Sequence, residues 1–299
     1  MSSLALTVVS EALRTAVPYV CAATGGVLSE RSGVVNIALE GILLASGLAA
    51  VVAHVSSGSP MVGLAVGIAV GASMGLLHAL LVVRGRVDAI LSGIALNLLA
   101  AGGTRFVLRA LYRSSSNSPA IPGFRFGDGQ SLLVVTLTDP LLSLAVACAV
   151  AVGFLLARTP FGLRVRAAGE NPRALEAAGV PVARVRIAAV VLGAAVCAVG
   201  GVALSFDQHQ FQSGMSGGRG FIALAAVVLS GWRPGRAALA CLAFAALDAL
   251  QVVLQDRAKV PHDLVQMIPY VVTLVVLATA GARGRAWARP PAALGKADA

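Results

Sequence analysis

The chain has 299 residues, 58% of them hydrophobic and only 12% charged, with a mean hydropathy of +0.86. Soluble domains carry about 25% charged residues, so this composition excludes a soluble globular protein and reads as a polytopic membrane protein. The formal net charge of +10 comes from basic residues gathered in loops and the tail, as a cytoplasmic bias would place them, without the aromatic-interleaved basic patch of a single-strand binder. Cys21, Cys148, Cys197 and Cys241 lie in apolar runs, form no CxxC pair, and read as small hydrophobes. No cleavable signal peptide is expected, because Glu11 and Arg14 precede a long apolar stretch that lacks a basic start.

Apolar runs of about 20 residues mark candidate spans. In chain order they are Ala12–Leu28, Val34–Val55, Met61–Val83, Ala89–Leu111, Pro140–Ala157, Ile187–Phe206, Ala237–Leu254 and Leu264–Ala280. The run Phe221–Ser230 is too short for an ordinary span and predicts a half-helix or short crossing. A polar segment at 112–138 separates the fourth and fifth spans, and its middle, Leu132–Leu137, alternates enough for a short strand or surface segment. Segment 158–186 is the most polar, with six arginines against two glutamates. Arginine placement predicts that 158–186, the turns at 84–86 and 231–236, and the tail at 283–299 are cytoplasmic, with Trp287 as an interface anchor. Segments 112–138 and 256–263 then face the other side, while the N-terminal side stays open. The fold class that follows is an all-α transmembrane helix bundle with broken or half-helices, in one domain over 1–299.

Polar residues interrupt this pattern in telling places. The stretch Gly25–Gly41 reads GGVLSERSGVVNIALEG and holds Glu30, Arg31, Asn36 and Glu40 among four glycines. Charges at bilayer depth face a bundle interior or a polar cavity. Glycine at this density weakens a helix, and a broken helix in a membrane must bury its freed backbone or line a cavity. The stretch therefore predicts a discontinuous segment near a transport pathway. Asn36 and Glu40, four apart, share a helix face that either contacts a polar solute or bonds within the bundle. Glu30 and Arg31 contact the pathway or form a structural pair with other elements. Asn97, in the fourth span, is interhelical glue or lines the pathway. Gln208, Gln212 and Arg219 flank a second glycine-rich break, SGMSGGRG at Ser213–Gly220, and complete the set of candidate pathway residues. His78 and Asp248 are mid-span residues better suited to helix–helix bonding, and Phe106, Phe211 and Phe221 are the nearest aromatic stacking surfaces.

The two glycine-interrupted segments echo each other weakly, SGVVNIALEGIL against GRGFIALAAVVL. Paired interruptions in two halves point to a binding site between repeats, with chance similarity as the alternative. In the polar segment, Asn171 can cap a short helix with Pro172 at its first position and Gly179 at its end. At about two turns it cannot stand alone in water and must dock on something. No catalytic residues and no metal ligands emerge. His54, His78, His209 and His262 are scattered, and GxxxxGK[ST], HExxH and GxSxG are absent.

Three blocks, GGVLSERSGVVNIALEGILL, RVRAAGENPRALEAAGV and GGRGFIALAAVVLSGWRPGRAAL, together resemble the permease subunits of bacterial ABC importers for branched-chain amino acids, simple sugars and nucleosides. The form SER-G-V-x-N-I-x-x-E-G is most similar to the nucleoside or simple-sugar subset. The resemblance implies pseudo-repeated helical halves and several partners. These are a second homologous permease, ABC ATPase subunits that hold the ATP and magnesium, and an extracytoplasmic solute-binding lipoprotein. This chain itself would bind no cofactor and catalyse no reaction. The resemblance also implies that Glu170, Asn171, Pro172, Arg173, Ala174, Leu175, Glu176, Ala177, Ala178 and Gly179 form the helix that couples to the ATPase. The expected function is import of nucleosides or related small polar solutes through the cell membrane. The alternatives are simple sugars or branched-chain amino acids as cargo, a stand-alone secondary transporter, or a non-transporting scaffold.

Overall fold

The computed structural model describes residues 2–124, 138–257, 271 and 289–295. The described residues form helices α1 (Ser2–Arg31), α2 (Leu39–Ser57), α3 (Pro60–Ala79, prolonged by a π-helical turn at Leu80–Arg84), α4 (Ala89–Tyr112) and α5 (Pro140–Arg158). They continue with α6 (Pro160–Glu170), α7 (Pro172–Ala177), α8 (Val182–Asp207), α9 (Arg219–Leu229) and α10 (Pro234–Arg257). The α2, α3, α4, α5 and α8 segments are each long and apolar enough to cross a membrane. Pairing between strands is confined, among the described residues, to one isolated bridge between Asn117 and Gln212.

The bundle is built around α8. Its 26 residues rise about 39 Å at 1.5 Å per residue, enough to cross a bilayer. Small residues along it let neighbours approach to backbone contact, the packing that lipid favours over bulky apolar interlocking. On α3, glycines recur every fourth residue at Gly63, Gly67, Gly71 and Gly75, so they line one face. A side chain added at Gly67, Gly71 or Gly75 would meet Val202, Ala198 or Ala194 of α8.

Matched levels along α8 give the direction of each element. Gly25 of α1 lies on the backbone of Gly193, and Arg14 reaches Asp207 at 3.9 Å, so α1 runs opposite to α8. Leu39 O lies 3.6 Å from Cys197 Sγ and Gly47 O accepts from Ser205 Oγ at 3.1 Å, so α2 runs alongside α8 but starts halfway up it. Between Arg31 and Leu39 the chain climbs that half-length without a helix. At the far end of α8, segment 208–213 pairs by backbone with 116–121, through Ile121 N to His209 O at 2.7 Å and Ser213 N to Ser116 O at 2.7 Å. The chain then descends to α9, an 11-residue helix about 16 Å long.

Several expectations shift. The helix does not break at Gly25 and Gly26: α1 continues to Arg31, because these glycines are points of close helix approach to Gly193 and Leu39. The interruption is confined to 32–38, so the second span starts at Leu39 rather than Val34. The polar segment 158–186 holds a further helix, α6, whose cap is Thr159 accepting from Gly162 N at 3.0 Å. The half-helix expected at Phe221–Ser230 is α9. Cys21, Cys197 and Cys241 are buried and Cys148 half-buried, all four as free thiols. The expected strand at Leu132–Leu137, the last span at Leu264–Ala280 and the anchor Trp287 lie outside the described residues.

Candidate functional site

A non-helical segment inside a membrane protein leaves its N–H and C=O groups without helical partners, and each must be paired within the protein. Segment 32–38 meets this demand with side chains from three other helices. Arg186 Nε of α8 donates to Ser32 O at 3.2 Å, and His78 Nε2 of α3 lies 3.0 Å from Val35 O. Asn97 Nδ2 of α4 donates to Ile37 O at 2.9 Å, while its Oδ1 accepts from Gly41 N at 2.7 Å. One amide thereby closes the carbonyl next to last in the break and an orphan N–H of the first turn of α2. His78 Nδ1 sits 2.9 Å from Ser92 Oγ, which fixes the ring; with Ser92 donating, Nε2 carries the proton toward Val35. Asn36 is fully buried and its Nδ2 donates to Ser29 Oγ at 3.2 Å. Its Oδ1 has no hydrogen-bond partner among the described residues. The turn itself uses Gly33 at φ +97°, a conformation that residues with a Cβ rarely adopt.

The second glycine-rich segment meets the first through Glu40. Its carboxylate accepts from Ser216 Oγ at 2.5 Å, Gly218 N at 2.8 Å and Gly220 N at 2.7 Å. These donors open α9, whose cap residue Gly218 has no side chain to satisfy them. A carboxylate at a helix N-terminus completes the open N–H groups and complements the helix dipole. Glycine is required at Gly220 because a Cβ there would meet the Glu40 backbone at 2.5 Å. The opposite end of α9 is held by the other acid of the opening stretch. Trp232 Nε1 donates to Glu30 at 2.5 Å, and Arg31 Nε donates to Trp232 O at 2.9 Å. Glu30 and Glu40 thus bracket α9, and Arg31 pairs with Glu170 at 3.7 Å as well.

The remaining candidate residues lie elsewhere. Gln208 is half-buried and Gln212 exposed, both on the segment beyond the far end of α8. Arg219 turns toward α10, where Asp248 lies at 3.8 Å and also accepts from Tyr19 Oη at 2.7 Å. The guanidinium stands 5.8 Å from the Tyr19 ring centre. Phe211 is fully buried, whereas Phe106 and Phe221 are on exposed faces. In α7 the expected cap is present, Asn171 Oδ1 accepting from Ala174 N at 3.2 Å, and Gly179 takes φ +77° at the end. Arg186, Ser216 and Trp232 are the residues that sequence reasoning missed. Arg186 gave one usable signal, a charge at the foot of a long apolar run.

Two interrupted limbs therefore enter the bundle from opposite ends of α8 and meet at Glu40, each leading into a helix that starts inside it. Discontinuous helices meeting inside a bundle are a recurring architecture of membrane transporters. The family model described as branched-chain amino acid transport system / permease component matches residues 8–277, and the chain belongs to that family. It is 34% identical to the guanosine ABC transporter permease protein NupQ of Bacillus subtilis, across 93% of this chain and 92% of that one. It is 32% identical to the nucleoside ABC transporter permease protein NupC of Lactococcus lactis, across 91% of each. An ABC transporter solved in an inward-facing conformation shares the fold, with a TM-score of 0.51 over 89% of this chain and 85% of that one, at 17% identity. The protein is thus a multi-pass permease subunit of an ABC importer, a transport component whose family works with ATPase and binding-protein partners.

Proposed function

We propose that this permease carries nucleosides into the cell. The observation that supports it is similarity to two nucleoside permeases over nine-tenths of the chain, running through both interrupted segments. In this reading Glu40 and Asn97 shape the pathway by fixing its backbone, while Asn36, Gln208, Gln212 and Arg219 are the pathway residues that meet a polar solute. Residues Glu170 to Gly179 receive the ATPase, which binds the ATP and magnesium, and this chain binds no cofactor of its own. A second homologous permease completes the pathway and an extracytoplasmic lipoprotein delivers the solute. The α7 end of α8 and the C-terminus face the cytoplasm.

The test is reconstitution in liposomes of this chain with its ATPase, second permease and receptor. ATP-dependent uptake of labelled guanosine, with little uptake of arabinose or leucine, is expected. Preference for either competitor would replace the nucleoside assignment. Uptake by this chain alone, driven by an ion gradient, would replace the ATPase-driven one.

A further inference from the structure

The start of the break, Arg31 to Gly33, is tied to the residues just before α7 by three contacts of different kinds. Arg186, only 8% exposed, spans the two. Its Nε donates to Ser32 O at 3.2 Å and its Nη2 to Ala168 O at 3.4 Å. The Glu176 carboxylate of α7 acts on the same guanidinium electrostatically. The Arg31–Glu170 pair, at 3.7 Å, joins the end of α1 to the end of α6. Segment 289–295 straps both, with Ala293 N donating to Gly169 O at 2.8 Å and Gly295 N to Gly33 O at 3.1 Å. Glycine at Gly169 and Gly33 lets these backbones touch: a Cβ on Gly169 would run into Arg31 O, and one on Gly33 would lie 3.2 Å from Arg186 Nη2. The rest of the break leads directly to Glu40 and through it to the start of α9.

We propose that Arg186 is a positioning residue that transmits displacement of the α6–α7 segment to the break at 32–38, and hence to the Glu40–α9 junction. A planar guanidinium with several fixed donors can hold two carbonyls from separate elements at once, which a lysine ammonium does less rigidly. Displacement of Ala168, near the end of α6, passes through this clamp to Ser32, and α7 follows α6 with only Asn171 between them. The inference rests on the reading that α7 receives the ATPase.

The experiment uses the reconstituted complex with Arg186→Lys and Arg186→Gln. Two readouts are taken: solute moved per ATP hydrolysed, and hydrogen exchange of amides 32–38 with and without the ATPase. In the unaltered complex, ATPase binding is expected to change exchange in 32–38. In the variants, assembly and ATP hydrolysis persist, that change is lost, and solute per ATP falls by about tenfold, within the range of ordinary coupling free energies. An unchanged exchange response in assembled variants overturns the proposal. Loss of assembly in both variants also overturns it, by giving Arg186 a folding role. If the unaltered complex moves no solute yet shows the exchange response, the transport reading fails while this one stands.

Discussion

At the scale of single residues, the polar groups of the opening stretch act first on the protein's own backbone. Glu40 serves three donors that α9 cannot satisfy itself. Glu40→Gln keeps the shape but removes the charge and one acceptor. It should cost about 1.5–3 kcal/mol, the usual range for hydrogen bonds to a charged group, read as a lower unfolding midpoint of the purified permease together with reduced uptake. Asn97→Leu leaves Gly41 N and Ile37 O without partners inside the bundle. It should cost about 1–3 kcal/mol for each stranded group, and an unchanged midpoint would show that water replaces the amide. The sequence marked Asn36, Glu40 and Asn97 because amides and charges are rare in apolar runs. It could not mark Ser216, an ordinary hydroxyl, or Trp232, an ordinary apolar residue, since each matters only through a partner some 180 to 200 residues away.

At the scale of elements, glycine has two distinct uses here, and spacing alone does not separate them. On α3 and at Gly25, glycines sit inside continuous helices and permit close approach. At Gly33 and Gly218 they adopt left-handed conformations at chain breaks. Density of glycine predicted a break across the whole opening stretch, yet only 32–38 is broken. Gly71→Ala tests the first use: the new methyl meets the Ala198 Cβ and lies 3.3 Å from Ile42. Overpacking of this kind should cost about 1–3 kcal/mol, measured by thermal unfolding in detergent. Pairing it with Ala198→Gly should restore much of the loss, because the two methyls compete for one space. The α7 helix, by contrast, was legible from cap to C-terminal glycine, since its signals are local.

At the scale of the whole molecule, α8 is the ruler. The Arg186 and α6–α7 end and the 116–121 end lie at its opposite extremes, separated by about a bilayer thickness. The arginine-rich end should be cytoplasmic. In a background lacking Cys148, a cysteine replacing exposed Arg173 should react with a membrane-impermeant maleimide only from the cytoplasmic side, and one replacing exposed Ser115 only from outside. Labelling of both from one side would invert or discard the topology. The same ruler places the N-terminal side relative to it: α1 runs opposite to α8 and ends beside Glu170, so its earlier turns, marked by Arg14 at Asp207, lie at the end away from α6 and α7.

The sequence by itself determined the class of protein, most of its helices and the two stretches that contain the interruptions, because hydropathy, glycine density and capping are properties of neighbouring residues. It also marked a weak echo between Gly25–Gly41 and Ser213–Gly220, with chance similarity as the alternative. Only the tertiary structure decided that the two meet at Glu40, that one enters from each end of the bundle, and that Arg186 ties the first to α6. Those facts depend on which buried donor faces which buried acceptor. In an apolar bundle of near-uniform Ala, Val, Leu and Gly surfaces, small differences in helix level set that pairing, and no local pattern records them.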